Sequence, residues 1–150
     1  MNEKWDYRFL DLAKTISSWS KDPSTKIGAV ITQNKKIVSV GYNGLPSFVP
    51  DDPEILNNRE LKYEHVIHGE VNAILQAPKD GLFGATLYVY PFLPCSRCAS
   101  MIIESNIIRV VSYKNTVDRW EESIQRSKNF FELAHVEVVE YLNYKDRQKD

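Results

Sequence analysis

Ala85-Thr86-Leu87-Tyr88-Val89-Tyr90 is followed by Pro94-Cys95-Ser96-Arg97-Cys98, then Ala99 to Ser105, and then Ile107-Ile108-Arg109-Val110-Val111-Ser112-Tyr113. The first and last runs are apolar, β-branched and aromatic, which predicts buried strands, and the segment from Ser96 to Ser105 has helical spacing. A helical crossover returns the chain to the same end of a sheet, so the two strands are expected to be parallel. The same order repeats downstream, with a helix from about Asp118 to Leu133 and a strand from Val136 to Val139. Upstream, Phe9, Leu12, Ala13 and Ile16 place a helix over Trp5 to Trp19, ending before Asp22-Pro23. Ile27 to Ile31 and Ile37 to Val40 flank Gln33-Asn34-Lys35-Lys36 as a hairpin. His68 opens a further helix carrying Val71, Ile74 and Leu75, closed by Pro78 and Gly81. The expected fold class is therefore α/β, with a mixed five-stranded sheet and helices on both faces.

Between Gly41 and Tyr63 the pattern breaks at Gly44, Pro46, Pro50 and Pro53, with no sustained periodicity. Long connections of this kind inside compact domains are usually functional. At 150 residues and 43% hydrophobic content, residues 1–150 fit one domain with a continuous core. The 19 basic and 20 acidic residues leave a net charge of -1, which argues against nucleic acid as a partner. No segment has the apolar length of a membrane span, and Met1 to Leu10 lacks the apolar run of a signal peptide. The charged tail from Tyr144 to Asp150 is expected to be a solvated terminus. The only cysteines are Cys95 and Cys98, with two residues between them, a spacing suited to metal ligation or redox exchange and consistent with a reducing cytoplasm.

His68-Gly69-Glu70 completes the pattern. One imidazole and two thiolates make three protein ligands for a zinc ion, leaving a fourth corner for water. Both ligand sets lie where a helix begins, and free N–H groups together with the helix dipole favour thiolate there. Zinc brings the pKa of its water to about 7, and Glu70, two residues beyond His68, is placed to move the proton. Two other readings are open to the same residues. A structural zinc staple would need a fourth ligand from His65, His135 or a carboxylate, and a redox use of Cys95 and Cys98 leaves His68 and Glu70 unexplained.

A His-x-Glu followed by Pro-Cys-x-x-Cys is the signature of the zinc nucleobase deaminases. The chain resembles the deoxycytidylate (dCMP) deaminase branch of that cytidine deaminase-like superfamily. The resemblance runs through Asp22-Pro23-Ser24-Thr25-Lys26-Ile27-Gly28-Ala29, Gly41-Tyr42-Asn43-Gly44-Leu45-Pro46 and His68-Gly69-Glu70-Val71-Asn72-Ala73-Ile74. It implies a three-layer α/β/α fold, one Zn2+ per chain on His68, Cys95 and Cys98, and conversion of dCMP to dUMP and ammonia. In that implied chemistry hydroxide attacks C4 and Glu70 shuttles protons. Gly69 N–H would hold the base carbonyl, and the carbonyl of Leu93 or Pro94 would receive the exocyclic amine. The resemblance further assigns Asn43 to the sugar, and Ser24 and Lys26 to the phosphate end; Asn43 before Gly44 also reads as a residue stabilising its own turn, and Lys26 as a solvated strand side chain. His65 reads as a nucleotide contact or as support for the metal ligands, and Tyr113 as a pocket wall or a packing aromatic. Arg119, beside Trp120, reads as a surface ion pair or as a group reaching the phosphate. A small-molecule nucleotide substrate and a homo-oligomer, with a hexamer as the candidate size, are implied as well. Two features depart from the pattern. Alanine usually stands where this chain has Gly69, and Ser47-Phe48-Val49-Pro50 lacks the glycine usually found there, which leaves control by deoxynucleoside triphosphates open.

Overall fold

The computed structural model describes residues 3–143; the tail from Tyr144 to Asp150 lies outside them. A first helix, α1 (Glu3–Ser17), leads to the hairpin β1 (Gly28–Gln33) and β2 (Lys36–Tyr42). Asn34 and Lys35 both take positive φ, 52° and 63°, and Gln33 pairs with Lys36, so the hairpin closes through a two-residue turn whose twist suits its strands. Two short helices, α2 (Pro53–Leu56) and α3 (Arg59–His65), precede α4 (Gly69–Gln76). The chain then runs through β3 (Thr86–Tyr90), α5 (Ser96–Glu104), β4 (Arg109–Tyr113), α6 (Asp118–Leu133) and β5 (Glu137–Tyr141). The five strands are ordered β2-β1-β3-β4-β5. β1 is antiparallel to both neighbours, whereas β3, β4 and β5 are parallel, as the strand-helix-strand order predicts.

Each face of the sheet carries its own layer. α1 buries Phe9, Leu10 and Ala13 against Val30, Tyr88, Val111 and Tyr113. On the other face α4, α5 and α6 contribute Ala73, Ile102, Ile124 and Phe131 against Ile31, Leu87, Val89 and Val110. Alternate residues of β3 and β4 therefore face opposite layers, as the two-residue period of a strand requires. A fully buried Leu, Ile or Phe contributes about 1.5–3 kcal/mol, and both layers are built mainly from these.

The region from Gly41 to Tyr63 holds α2 and α3, contrary to an unbroken loop. Their starts are made by caps: Asp52 accepts from Glu54 N–H, and Asn58 accepts from Glu60 and Leu61 N–H. No residue of α3 is buried, so no apolar stripe marks it in the sequence.

α1 is pinned to the sheet by a buried ion pair. Arg109 Nη1 and Nη2 donate to Asp6 Oδ1 and Oδ2 at 2.8 and 2.6 Å. Tyr88 and Tyr141 hydroxyls donate to the same carboxylate at 2.8 and 2.7 Å, so α1, β3, β4 and β5 meet on one wholly buried side chain. Burial, the largest influence, pushes the Asp6 carboxyl up, but the bonds from Arg109, Tyr141 and Tyr88 outweigh it and hold it below its ordinary 3.8. A depressed folded pKa contributes stability that is complete above the unfolded value and lost as pH falls through the folded one. Asp6→Asn is expected to cost about 3 kcal/mol at pH 7, because it leaves Arg109 buried without its counter-charge. Urea unfolding checks this, with the gap between variant and parent narrowing below about pH 4 as the parent's carboxylate protonates.

Candidate functional site

Two helices begin at the same place. His68 is the N-cap residue of α4 and Cys95 that of α5, both with extended backbone, and neither side chain caps its helix. Ser, Thr, Asp or Asn would ordinarily fill such positions and bond the first-turn N–H groups. Here the side chains turn to each other instead. His68 Nδ1 lies 3.2 Å from Cys98 Sγ and 3.5 Å from Cys95 Sγ. A tetrahedral zinc with Zn–N of about 2.0 Å and Zn–S of about 2.3 Å sets N···S edges of about 3.5 Å. The donors therefore fit such an ion, and all three ligand atoms fall within 4.8 Å of one another. Among the described residues no fourth His, Cys, Asp or Glu joins them. His65 and His135, the fourth ligands a structural staple would need, do not join them.

The cap that Cys95 gives up is supplied by α6. Ser123 Oγ accepts from Ser96 N–H at 3.0 Å, and Ser127 Oγ donates to the Pro94 carbonyl at 2.7 Å. α6 thus braces the turn that carries Cys95. α4 is seated by Gly41, where a Cβ would come within 2.4 Å of Ala73 N and 2.5 Å of Gly69 O. Only glycine lets β2 and the first turns of α4 approach this closely. Gly69 is itself crowded, since a Cβ there would meet Ile27 O, Ile27 Cγ2 and Tyr42 Cα at 3.1, 3.2 and 3.3 Å. That crowding is a local reason for glycine where the resemblance has alanine.

Protons are unevenly shared among the three donors. Hydrogen bonding with Cys98 is the largest influence on Cys95 and helps bring its thiol down to about 4, while Cys98, bonded to Cys95 and buried, is pushed up. The bond to Cys95 raises His68 to about 9. Glu70 is 2% exposed, and burial pushes its carboxyl above the ordinary 4.5 against the opposing charge of His68. A carboxyl so placed holds its proton more readily than a free glutamate, which suits it to proton transfer.

These groups open into a cavity of about 480 Å³. His68, Glu70 and Cys95 line it together with Phe92, Leu93, Pro94 and Trp120; Arg59, Lys62 and Arg119 supply cationic side chains. Of the residues expected to meet substrate, Ser24 and Asn43 line this cavity. Asn43 spends its amide on the backbone, accepting from Ile27 N–H and donating to the Thr25 carbonyl, both at 2.8 Å. It holds the strand leader, residues 22–27, rather than only its own turn.

Four of the expected residues do not line the cavity; Gly69 is one of them, buried in the first turn of α4 between His68 and Glu70, which do line it. Lys26 turns its ammonium to the Ser20 carbonyl. His65 is exposed at the end of α3. Tyr113 is buried on the α1 face of the sheet, edge-on to Tyr90 with ring centroids 6.1 Å apart, because its position in β4 has the parity of Val111 and not of Val110. Arg119, read as a surface ion pair or a phosphate contact, makes no ion pair with an acidic side chain among the described residues and donates to Thr25 Oγ1 at 3.2 Å. Arg59 and Lys62 carried no motif that would have marked them, and Thr25, although inside the Asp22 to Ala29 stretch, was not singled out there.

A family model for the cytidine and deoxycytidylate deaminase zinc-binding region matches residues 3–114. A protein of Aliivibrio fischeri, known as an uncharacterized deaminase in the luxG 3' region, is 47% identical over 142 residues, covering 93% of this chain and 95% of its own. Human deoxycytidylate deaminase is 35% identical over 147 residues, covering 93% of this chain and 80% of its own. The apo structure of dCMP deaminase from cyanophage S-TIM5 superposes with a TM-score of 0.72 at 22% identity, over 94% of this chain and 100% of that one, a likeness of fold. The donor geometry yields a direct expectation: purified protein takes up one zinc per chain, and Cys95→Ala or Cys98→Ala lowers its affinity at least a hundredfold. Competition against a chromophoric chelator measures both.

Proposed function

The chain belongs to the cytidine and deoxycytidylate deaminase family, and from that premise we propose that it hydrolyses dCMP to dUMP and ammonia. The observation that carries this reading is the three-donor group with a buried carboxyl beside it, opening into a cavity that also holds cationic side chains. Zinc held by His68, Cys95 and Cys98 supplies, when bound, an acidified water as the nucleophile for C4 of the pyrimidine.

Glu70 would carry one proton from the attacking water to N3 and a second, from the hydroxyl newly bonded to C4, to the amine as the C4–N bond breaks and the C4 carbonyl forms. Its burial favours the protonated form that both deliveries need. The N–H of Gly69, in the first turn of α4 where no intrahelical acceptor exists, receives the base carbonyl. The exocyclic amine falls to the carbonyl of Leu93, since the Pro94 oxygen already accepts from Ser127. Phe92 and Trp120, with ring centroids 6.0 Å apart, form an apolar wall for the base.

The nucleotide's phosphate end is assigned to Arg119, Arg59 and Lys62, with Ser24 and Thr25 as hydroxyl partners. Arginine's forked donors suit phosphate oxygens, and two of these three cations are arginines. Asn43 serves this end by holding the strand leader that carries Ser24 and Thr25. Residues 1–150 act as one domain in the cytoplasm, and no helix among the described residues is long and apolar enough to cross a membrane. A homo-oligomer, with a hexamer as the candidate size, accords with the exposed apolar side chains of Leu75, Phe83 and Leu133.

Glu70→Gln tests the proton shuttle. It keeps shape but cannot carry the proton, so ammonia release from dCMP is expected to fall at least a thousandfold while bound zinc stays at one per chain. Near-parental turnover with zinc retained would remove Glu70 from its role.

A further inference from the structure

Residues 45–66 leave the sheet and return through a narrow neck. Gly44 N–H donates to the Ile67 carbonyl at 3.1 Å, and Ile67 N–H donates to the Gly44 carbonyl at 2.9 Å. Between those bonds Leu56 is the one buried residue. The excursion nevertheless supplies a whole wall of the cavity, through Leu56, Asn57, Arg59, Lys62, Tyr63 and Val66.

A segment with so little buried apolar surface is held by its polar ties, and its opening takes little free energy. Among the described residues two side-chain ion pairs connect it to the rest of the molecule. Lys21–Asp51 is exposed on both sides, and such pairs contribute little. Lys62–Asp22 is different: its side chains are 15% and 9% exposed, with Nζ 3.0 Å from Oδ1. Lys62 Nζ also reaches Ser24 Oγ at 3.3 Å. The same Asp22 oxygen accepts from Ser24 N–H at 2.8 Å and Thr25 N–H at 3.3 Å. One carboxylate therefore fixes both the strand leader and the excursion across the cavity from it. α2 and α3 carry their own caps, so the segment can swing on its neck without unravelling.

We propose that residues 45–66 form a hinged lid over the cavity and that the Asp22–Lys62 pair is its latch, with Asp22 as the positioning residue. The neck at Gly44 and Ile67 is the hinge. Opening breaks the pair and admits the ligand; closing re-forms it and returns Arg59 and Lys62 to the wall. The lid's use for a nucleotide rests on the function proposed above, but the latch does not.

Native-state hydrogen exchange on the zinc-loaded protein tests it, comparing the parent with Asp22→Asn, Lys62→Gln and Lys62→Arg. Asp22→Asn keeps an oxygen for the Ser24 and Thr25 N–H groups and removes the charge that Lys62 needs. Exchange across residues 45–66 should quicken about five- to tenfold in Asp22→Asn and Lys62→Gln and return toward the parent in Lys62→Arg, with β1 to β5 unchanged. Unchanged exchange in the segment overturns the latch. Faster exchange spread through the sheet overturns it too, since it marks a general structural role. In a parallel arm, KM for dCMP should rise at least fivefold in Asp22→Asn, by more than kcat falls; an equal effect on both counts against the lid. If dCMP is not turned over at all, the proposed function fails while the exchange measurement still decides the latch.

Discussion

The convergence of two helix starts on one point governs the remainder of this structure. α4 and α5 each give their N-cap position to a metal-type donor, His68 and Cys95, and neither of these side chains caps its own helix. An uncapped helix start ordinarily loses about 1 kcal/mol, so the fold must satisfy those N–H groups otherwise. For α5 it does so from α6, through Ser123 on Ser96 N–H and Ser127 on the Pro94 carbonyl. For α4 the seating comes from Gly41, whose missing side chain lets β2 and the helix backbone touch. β1 is antiparallel to both β2 and β3, so β2 and β3 run to the same end of the sheet, where α4 and α5 begin.

From that point the cavity is differentiated along its length. The donor group and the buried Glu70 stand beside apolar walls, and burial raises the carboxyl above its ordinary pKa. Arg119, Arg59 and Lys62 come from α6 and α3, elements that do not carry the donors. The metal-type donors and the cationic side chains thus reside on different parts of the chain. The donor ends rest on the sheet, whereas one cationic wall belongs to a segment with a single buried residue.

The donor group was legible because its residue types are rare and closely spaced. Two cysteines in the entire chain, three apart, and a histidine two residues from a glutamate leave few alternatives. The sheet was legible because β3 and β4 are continuous apolar runs, which parallel strands buried on both faces require. The α2–α3 segment was not, since it is organised by the Asp52 and Asn58 caps and not by periodicity. Whether Tyr113 lines the pocket or packs was not legible, because the parity of β4 follows from its register with β3; the structure packs it on the α1 face. Arg59 and Lys62 were invisible for another reason: surface cations occur throughout any soluble chain, and only the return of the excursion through its neck brings them to the cavity.

The measurement that bears most directly on the whole account is the rate of ammonia release from dCMP against deoxycytidine by the zinc-loaded protein. The two substrates share the reacting base and differ in the phosphate, so their ratio isolates the cationic wall from the donor group. A kcat/KM at least about a hundredfold higher for dCMP is predicted, in keeping with sites whose charged groups are left unpaired by a truncated ligand. Equal turnover of the two would contradict the assignment of Arg59, Lys62 and Arg119, and no ammonia from either would contradict the deaminase itself.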